Sequence, residues 1–487
     1  MKKNHILVAL LLFMMPMLSG AQALRGSYFL DNSVNSHQLN PAFTPRANYF
    51  QLPVIGNTGF GAYTNLDLPT FLYPLDNGKV GTFLHPEVSV AQFDKNLPKH
   101  PHFDADFNTT LLSFGFFTKH KAFWNFTLDT KVTMDNDLPR DFLFLLKKGT
   151  GTEPGSFNVG NMNSYTTAAV RASLGYSREF VKNLRTGIKL RVIAPVAYTA
   201  LNLENVRLNT SQDKWSIQTE GYLHTAVQGL DVQMGDGESL SPTVGFDMNQ
   251  TLSTMGLAGL GYSIDLGASY VFKLGNFLDG LTVSASVIDL GQIAYFYDAV
   301  SAFETHGEME WTGMEIEEDF SFENPMEGLM DEFGQLLNLS EIQDRDALIR
   351  STMPTVFLGV EMPFVKNMMS VGLLYSARFS HSYARNELTL SYNFTPSKAF
   401  ALGLNYSFLN TGGTMGAILE LTPKIGPAFY IGCDYVPFKY APYMIKNAAI
   451  ESLPIPMSMR LNMNFGFSFN LGSKHVNPKK VNPKKEK

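Results

Sequence analysis

From residue 50 onward the chain repeats one theme: about ten residues of strict apolar–polar alternation, then a turn, the repeat length of membrane-spanning strands. Leu388, Leu390, Tyr392 and Phe394 interleave with Thr389, Ser391 and Asn393. Phe400, Leu402, Leu404 and Tyr406 interleave with Ala401, Gly403, Asn405 and Ser407, and Leu461, Met463, Phe465, Phe467 and Phe469 with Asn462, Asn464, Gly466 and Ser468. Upstream, Trp124, Phe126, Leu128 and Val132 alternate with Asn125, Thr127, Asp129 and Lys131. A period of two with one apolar face is the signature of a strand. The pattern predicts fourteen of them: 50–63, 104–117, 122–134, 163–178, 187–199, 258–272, 280–295, 353–363, 367–379, 385–395, 398–409, 413–422, 426–435 and 457–471. A further hairpin, 201–209 with 214–224, either extends above the membrane or raises the count to sixteen. Both totals are even, as closure of a single-chain bacterial barrel requires.

A soluble β-sandwich also alternates, but three features favour a transmembrane antiparallel barrel. The strands exceed the usual five or six residues. Aromatics recur near the ends of the apolar face, as an interfacial girdle requires. The opposite face carries Asn125, Asp129, Lys131, Arg171, Lys189, Arg191, Asp265, Glu420 and Arg460, the candidate lumen-facing polar residues. Connection lengths add an orientation, with strand 457–471 running down to the periplasm. Short turns fall at 118–121, 364–366, 396–397 and 423–425, all on the periplasmic side. Long or irregular loops fall at 64–103, 135–162, 296–352, 380–384 and 436–456, all on the outer side, the usual asymmetry of such barrels.

The N-terminus sets the compartment. Lys2 and Lys3 precede an apolar run from Ile6 to Leu18, and Ala21-Gln22-Ala23 forms an A-x-A cleavage site. Residues 1–23 therefore read as a secretory signal, cut after Ala21 or Ala23; the run is shorter than the roughly 20 residues of a spanning helix. No later apolar run approaches that length. The single cysteine, Cys433, alternates with Phe429, Ile431 and Tyr435 and reads as an apolar strand position without an internal disulfide. A net charge of −6 gives no nucleic-acid footprint. The domain plan is a signal at 1–23, an N-terminal plug segment at 24–47, a barrel at 48–472 and a Lys- and Pro-rich disordered tail at 473–487.

The plug expectation rests on residues 24–47 lacking alternation and on glycines at inward positions: Gly115, Gly175, Gly267, Gly372, Gly403, Gly416, Gly432 and Gly466. Glycine weakens a strand, so its recurrence there implies curvature or the close approach of another backbone. The stretch 304–346 is acidic, with fourteen Asp/Glu against Arg345, and Met326, Leu329, Met330, Phe333, Leu336 and Leu337 give it a helical apolar stripe after Pro325. A second outer helix is expected at 138–146, and the two together could form a vestibule. Lys99-His100-Pro101-His102 with Asp104 and Asp106 holds metal-capable ligands but reads as a polar loop, so no metal or other cofactor is expected. Histidine is nearly absent from the strands, His224 being the main candidate, and an enzyme is not expected.

Three stretches carry a family resemblance. His37-Gln38-Leu39-Asn40-Pro41-Ala42-Phe43 resembles the Asn-Pro-Ala box of the long-chain fatty-acid transporter (FadL-like) barrels and of PorV- and PorP-type barrels of type IX secretion. Gly261–Ala268 and Ser284–Gly291, each with Asp-Leu-Gly, resemble the paired hairpin of that group, and Leu184–Leu190 its turn into a strand. With Leu52-Pro53-Val54-Ile55-Gly56, the chain most resembles a FadL-like outer-membrane family of unknown function in Bacteroidota. The resemblance implies a fourteen-stranded barrel plugged by its N-terminus, with Asn40, Pro41 and Ala42 as the plug motif. No ligand residues carry over. Three functions follow as expectations: a barrel binding or admitting a hydrophobic or amphipathic small molecule, a scaffold docking a secretion-system or surface protein, or a structural plugged barrel. All place it among the lipids of the outer membrane.

Overall fold

A computed structural model of the chain describes residues 24–30, 33–75, 80–148, 155–158, 160, 162–211, 215–228, 256–275, 278–311, 339–342, 347–365, 368–381, 383–409, 412–436, 440–447, 450–456 and 460–472. The expected signal at 1–23, the helix at 325–337 and the tail at 473–487 lie outside them. Strand β1 runs in two segments, Asn48–Gln51 and Thr58–Thr64, followed by β2 His102–Phe117, β3 Phe123–Asp137, β4 Met162–Val181 and β5 Leu184–Leu203. Then come β6 Gly259–Val271, β7 Thr282–Tyr295, β8 Thr355–Phe364, β9 Met369–Phe379 and β10 Ala384–Ser397. The last four are β11 Phe400–Leu409, β12 Gly412–Leu421, β13 Ile425–Val436 and β14 Leu461–Gly472. Each pairs antiparallel with its neighbour, and β14 closes on β1, Tyr49 facing Asn470 and Ala62 facing Leu461. Closure at fourteen leaves no unpaired edge, the condition for a sheet to cross a bilayer.

The alternation becomes two chemically distinct surfaces. Along β10, Leu388, Leu390 and Tyr392 are exposed while Thr389, Ser391 and Asn393 are buried. Leu190, Val192, Tyr262, Leu266, Val371 and Leu373 continue the exposed apolar belt on other strands. The short connections at 118–122, 182–183, 365–368, 398–399 and 422–424 share one end, and the long ones at 65–101, 138–161, 204–258, 296–354 and 437–460 share the other. Two short crossings, at 380–383 and 410–411, also fall on the long-connection side.

Three details differ from the sequence reading, and one, given second, resolves an alternative it left open. First, β1 is broken at 52–57, where Pro53 has no N–H to donate and Val54 sits at φ 66°. The detour keeps its bonds, Val54 N donating to the Thr110 carbonyl at 2.8 Å and Phe467 N to that of Ile55 at 2.8 Å. Second, the extra hairpin, seen as Arg207–Thr210 and Trp215–Ala226, stays above the barrel: 215–226 pairs with the projecting end of β5. Third, Val300–Trp311 is a strand along 215–226, not part of a helical loop; it alternates Phe303, Thr305, Met309 and Trp311 with charged or small residues, a period hidden by its acidity. Fourth, a bulge in β13 turns Tyr435 inward beside Asp434 while Cys433 keeps the outward phase, because Ala417 faces Cys433 and Met415 already faces Val436.

Above the outer rim, α1 (Leu68–Phe71), α2 (Val90–Asn96) and α3 (Arg140–Lys148) pack into a small apolar cap. Ser89 and Gln92 form a capping box that starts α2, and Phe93, fully buried, stacks on Phe83 at 5.0 Å. The expected helix at 138–146 is thus present two residues later, seated on other helices.

Candidate functional site

The described part of segment 24–47 lies against the inner wall, and all of it except Gln38 and Arg46 is buried. At its centre Asn40 makes an Asx turn, its Oδ1 accepting from Ala42 N at 2.9 Å. The Asn40 amide reaches the wall, donating to the carbonyls of Ala268 at 3.4 Å and Ala285 at 3.3 Å. Ser286 Oγ donates to the Leu39 carbonyl at 2.7 Å and Lys189 Nζ to that of His37 at 3.1 Å. The Pro41 backbone fits only because Gly187 and Gly267 stand opposite: a Cβ at Gly187 would lie 2.6 Å from Ala42 N, and one at Gly267 2.9 Å from Pro41 Cδ. Of the other inward glycines, Gly372 faces Phe29, Gly432 faces Leu24, and Gly403 lies near the Gly26 carbonyl. Gly115 and Gly175 face side chains of the barrel instead, and Gly416 and Gly466 face both side chains and backbone of the barrel. Tyr28, Phe29, Leu39 and Phe43 close the seat with Phe357 and Leu374 of the wall.

Arg25 anchors the upper end of the segment. Its backbone N and that of Gly26 donate to the Asp434 carboxylate at 2.7 and 2.8 Å. Its guanidinium pairs with Glu387 and donates to the Tyr435 hydroxyl. The bulge in β13 makes this possible by presenting Asp434 and Tyr435 to the lumen together.

Beside this anchor the lumen is crossed by ion pairs. Arg191 holds Asp265 in a two-pronged contact at 3.2 and 2.9 Å and also pairs with Asp289, which Lys131 approaches at 3.2 Å. Arg171 Nε lies 2.6 Å from Asp129. Arg378 grips Asp106 with both Nη atoms, one at 2.7 Å, and Arg385 stands 3.5 Å from Asp104. These last two pairs join β9 and β10 to β2, strands that are not neighbours in the sheet, so they strap opposite walls. Buried charges are tolerated only when paired in this way.

Of the nine lumen-facing residues expected from sequence, Asp129, Lys131, Arg171, Lys189, Arg191 and Asp265 come together here. Three do not. Asn125 packs under Gly175, Glu420 is buried on β12 opposite Ala401, and Arg460 at the outer rim donates to the Thr64 carbonyl at 3.1 Å and faces Asp67. Sequence reasoning missed Asp289, Arg378, Arg385, Glu387 and Asp434. Asp289 was out of phase because the paired Asp-Leu-Gly motifs form a bulge: Ile264 faces Leu290 and Leu266 faces Val287, leaving Ile288 and Asp289 opposite Asp265. Asp289 takes φ 58° there, and its N–H donates to Asp265 at 2.8 Å. The run considered for metal binding disperses: Asp104 and Asp106 enter the straps, and His102 stacks on Tyr63 at 5.5 Å. Among the described residues no three His, Cys, Asp or Glu side chains converge on a metal position. His224 sits beside Tyr222, with Arg350 Nη2 at 3.4 Å from its Nδ1.

Between the segment and the wall lies a cavity of about 100 Å³, enough for a small head group or a few waters. Its lining presents seven cationic side chains, Arg25, Lys131, Arg171, Lys189, Arg191, Arg378 and Arg385, and three carboxylates, Asp106, Asp129 and Asp289. Asp104, Asp265, Glu387 and Asp434 pair with Arg385, Arg191 and Arg25 without lining the cavity themselves, so cationic side chains outnumber carboxylates in the lining.

A closed fourteen-stranded barrel with an apolar outer belt and a charged interior defines an outer-membrane β-barrel protein. The chain belongs to the family of unknown function DUF5723, whose profile matches residues 41–434. No curated protein sequence matches it. Among solved structures it is similar to the toluene transporter TodX of Pseudomonas putida, with 10% identity over 90% of this chain and 94% of that one and a TM-score of 0.37. The toluene transporter TbuX of Ralstonia pickettii gives 8% identity over 90% and 94%, with a TM-score of 0.40. A FadL homologue of Pseudomonas aeruginosa gives 11% over 91% and 96%, with a TM-score of 0.38. Likeness at this level says nothing of what the present barrel binds.

Proposed function

We propose that this protein is a non-enzymatic outer-membrane barrel that binds an amphipathic small molecule by its anionic head, at the cavity where residues 24–47 meet the wall. Residues 1–23 serve export, and 24–47 acts as a plug that must shift before the molecule can pass. The observation that carries this reading is the cavity's lining: Arg25 and the neutral Gln38 come from the segment, and the other charged side chains from the wall. A ligand there touches both parts, so its binding energy bears directly on how the plug is seated. A wholly apolar compound would have to displace water from these charges without replacing its hydrogen bonds, a costly exchange. Of the small molecules considered, an amphipathic anion therefore fits better than a hydrocarbon.

The test uses hexyl phosphate, hexyltrimethylammonium and hexanol as probes, with thermal unfolding of the purified, detergent-solubilised barrel as readout. Hexyl phosphate should raise Tm, because a ligand that binds the folded state stabilises it. The other two should not, and Arg171→Gln should diminish the shift. Equal shifts from all three probes, or none from hexyl phosphate, would contradict the reading.

A docking scaffold of the PorV or PorP kind is the second reading, favoured by a separate observation. Strands 155–158, 207–210, 215–226 and 300–311 extend the sheet beyond the barrel and offer a raised outer platform. Deleting 207–226 should then abolish partner retention while leaving probe binding in the lumen intact.

A further inference from the structure

The outer belt is interrupted by a concave patch on its lipid-facing side. One row of outward side chains crosses five strands as Arg178, Thr186, Ala268, Ala285 and Leu358, each facing the next in register. The row above it reads Tyr176, Ile188, Leu266, Val287 and Val356. Three small residues in the middle of the lower row, flanked by large ones, leave a groove of about 510 Å³. Backbone at Gly187 and Gly267 contributes to its floor.

The two ends of the groove differ. Leu358 ends it on β8, in the apolar belt. At the other end Phe180 lines it on β4, and exposed Arg178 stands beside that ring, four residues before the short turn at 182–183, its guanidinium carbon 5.8 Å from the Phe180 ring centre. Lys182, also exposed, lies in that turn. A cation at the short-turn end of a barrel stands at the inner membrane–water boundary, where basic side chains extend to lipid head groups. An apolar trough with, beside its end, a guanidinium that has no carboxylate partner among the described residues matches one occupant by shape and by charge: an acyl chain whose head group is anionic.

We infer that this groove is a binding site for an anionic phospholipid of the inner leaflet, with one acyl chain over Ala268 and Ala285 and the head-group phosphate at Arg178. The inference does not use the luminal cavity and stands or falls separately from it. The wall is thin at this place: Asn40 holds the carbonyls of Ala268 and Ala285 from inside, directly behind the groove floor.

The site can be tested by native mass spectrometry of the full barrel in detergent micelles supplemented with phosphatidylglycerol or phosphatidylcholine. The wild type should retain phosphatidylglycerol at one-to-one stoichiometry and lose it last as collision energy rises. Ala268→Leu with Ala285→Leu fills the groove with residues a lipid-facing strand accepts, and should remove the bound lipid while the heat-dependent gel shift of the folded barrel persists. Arg178→Gln should keep a lipid but lose the preference for phosphatidylglycerol. Leu390→Phe, on the belt elsewhere, should change nothing. Retention unaltered by the double leucine variant, or no lipid on the wild type, would overturn the site. Equal retention of both lipids by the wild type would overturn its anionic character.

Discussion

Substituting Gly187 and Gly267 together by valine attacks the seat of the N-terminal segment while favouring the wall. Valine suits a strand, and glycine in a strand interior costs roughly 0.5–1 kcal/mol relative to alanine, so the barrel itself should gain or hold stability. Inside, the new atoms meet immovable neighbours. The Cβ at Gly187 would fall 2.6 Å from Ala42 N and closer still to the Pro41 carbonyl, within a turn that Asn40 fixes. No side-chain rotation relieves this, so the whole box must retreat. Overpacking of this kind costs about 1–3 kcal/mol, and the Asn40 bonds to Ala268 and Ala285 would add roughly 1 kcal/mol on loss. The two sites act on one box, so their effects share a ceiling rather than add. A loss of roughly 2–4 kcal/mol would raise the displaced population between about 30-fold and about 1,000-fold. The assay is single-channel recording in planar bilayers, with limited proteolysis near Arg25 as a second readout. The double variant should fold, open far more often than wild type and be cut sooner. A folded variant with wild-type conductance and wild-type protection would refute the packing argument.

Three further outcomes are expected. Arg25→Ala leaves buried Glu387 with the Tyr435 hydroxyl but without its cation, and unpairing a buried partner costs about 3–5 kcal/mol, so Tm should fall, with Glu387→Gln partly restoring it in the double variant. Arg378→Gln should release the strap to Asp106 and raise the conductance of a protein lacking residues 27–45, measured in the same bilayers, without changing protease access to Arg25 in the full-length chain. An epitope inserted near Glu317, in the long connection between β7 and β8, should be labelled by antibody on intact cells; labelling only after outer-membrane lysis would invert the orientation.

Most of the barrel was legible because its physics is local. A strand with one face in lipid must alternate, and β10, β11 and β14 do so without exception through their central residues. The elements that escaped are those where local and tertiary signals part. Val300–Trp311 alternates, yet its glutamates resemble a solvated loop, and only pairing with 215–226 selects the strand. Bulges at Asp289 and Tyr435 shift the phase by one residue, which sends an apparently outward side chain into the lumen. Arg378 and Asp106 lie on strands that never touch, so nothing local could pair them. Asn40-Pro41-Ala42 announced a turn, and Gly267 announced room for a backbone, but that each answers the other appears only when both are placed on one wall.

The most direct measurement compares the intact barrel with one lacking residues 27–45, each inserted in a planar bilayer at the same salt concentration. The deletion leaves every strand of the wall, and the heat-dependent gel shift verifies that the barrel still closes. If residues 24–47 close the lumen, the intact protein conducts poorly and the deleted one opens a much larger, steady conductance. Equal conductance from both folded proteins would mean that the segment does not seal the barrel, and the account of a plug seated on Gly187 and Gly267 would be wrong.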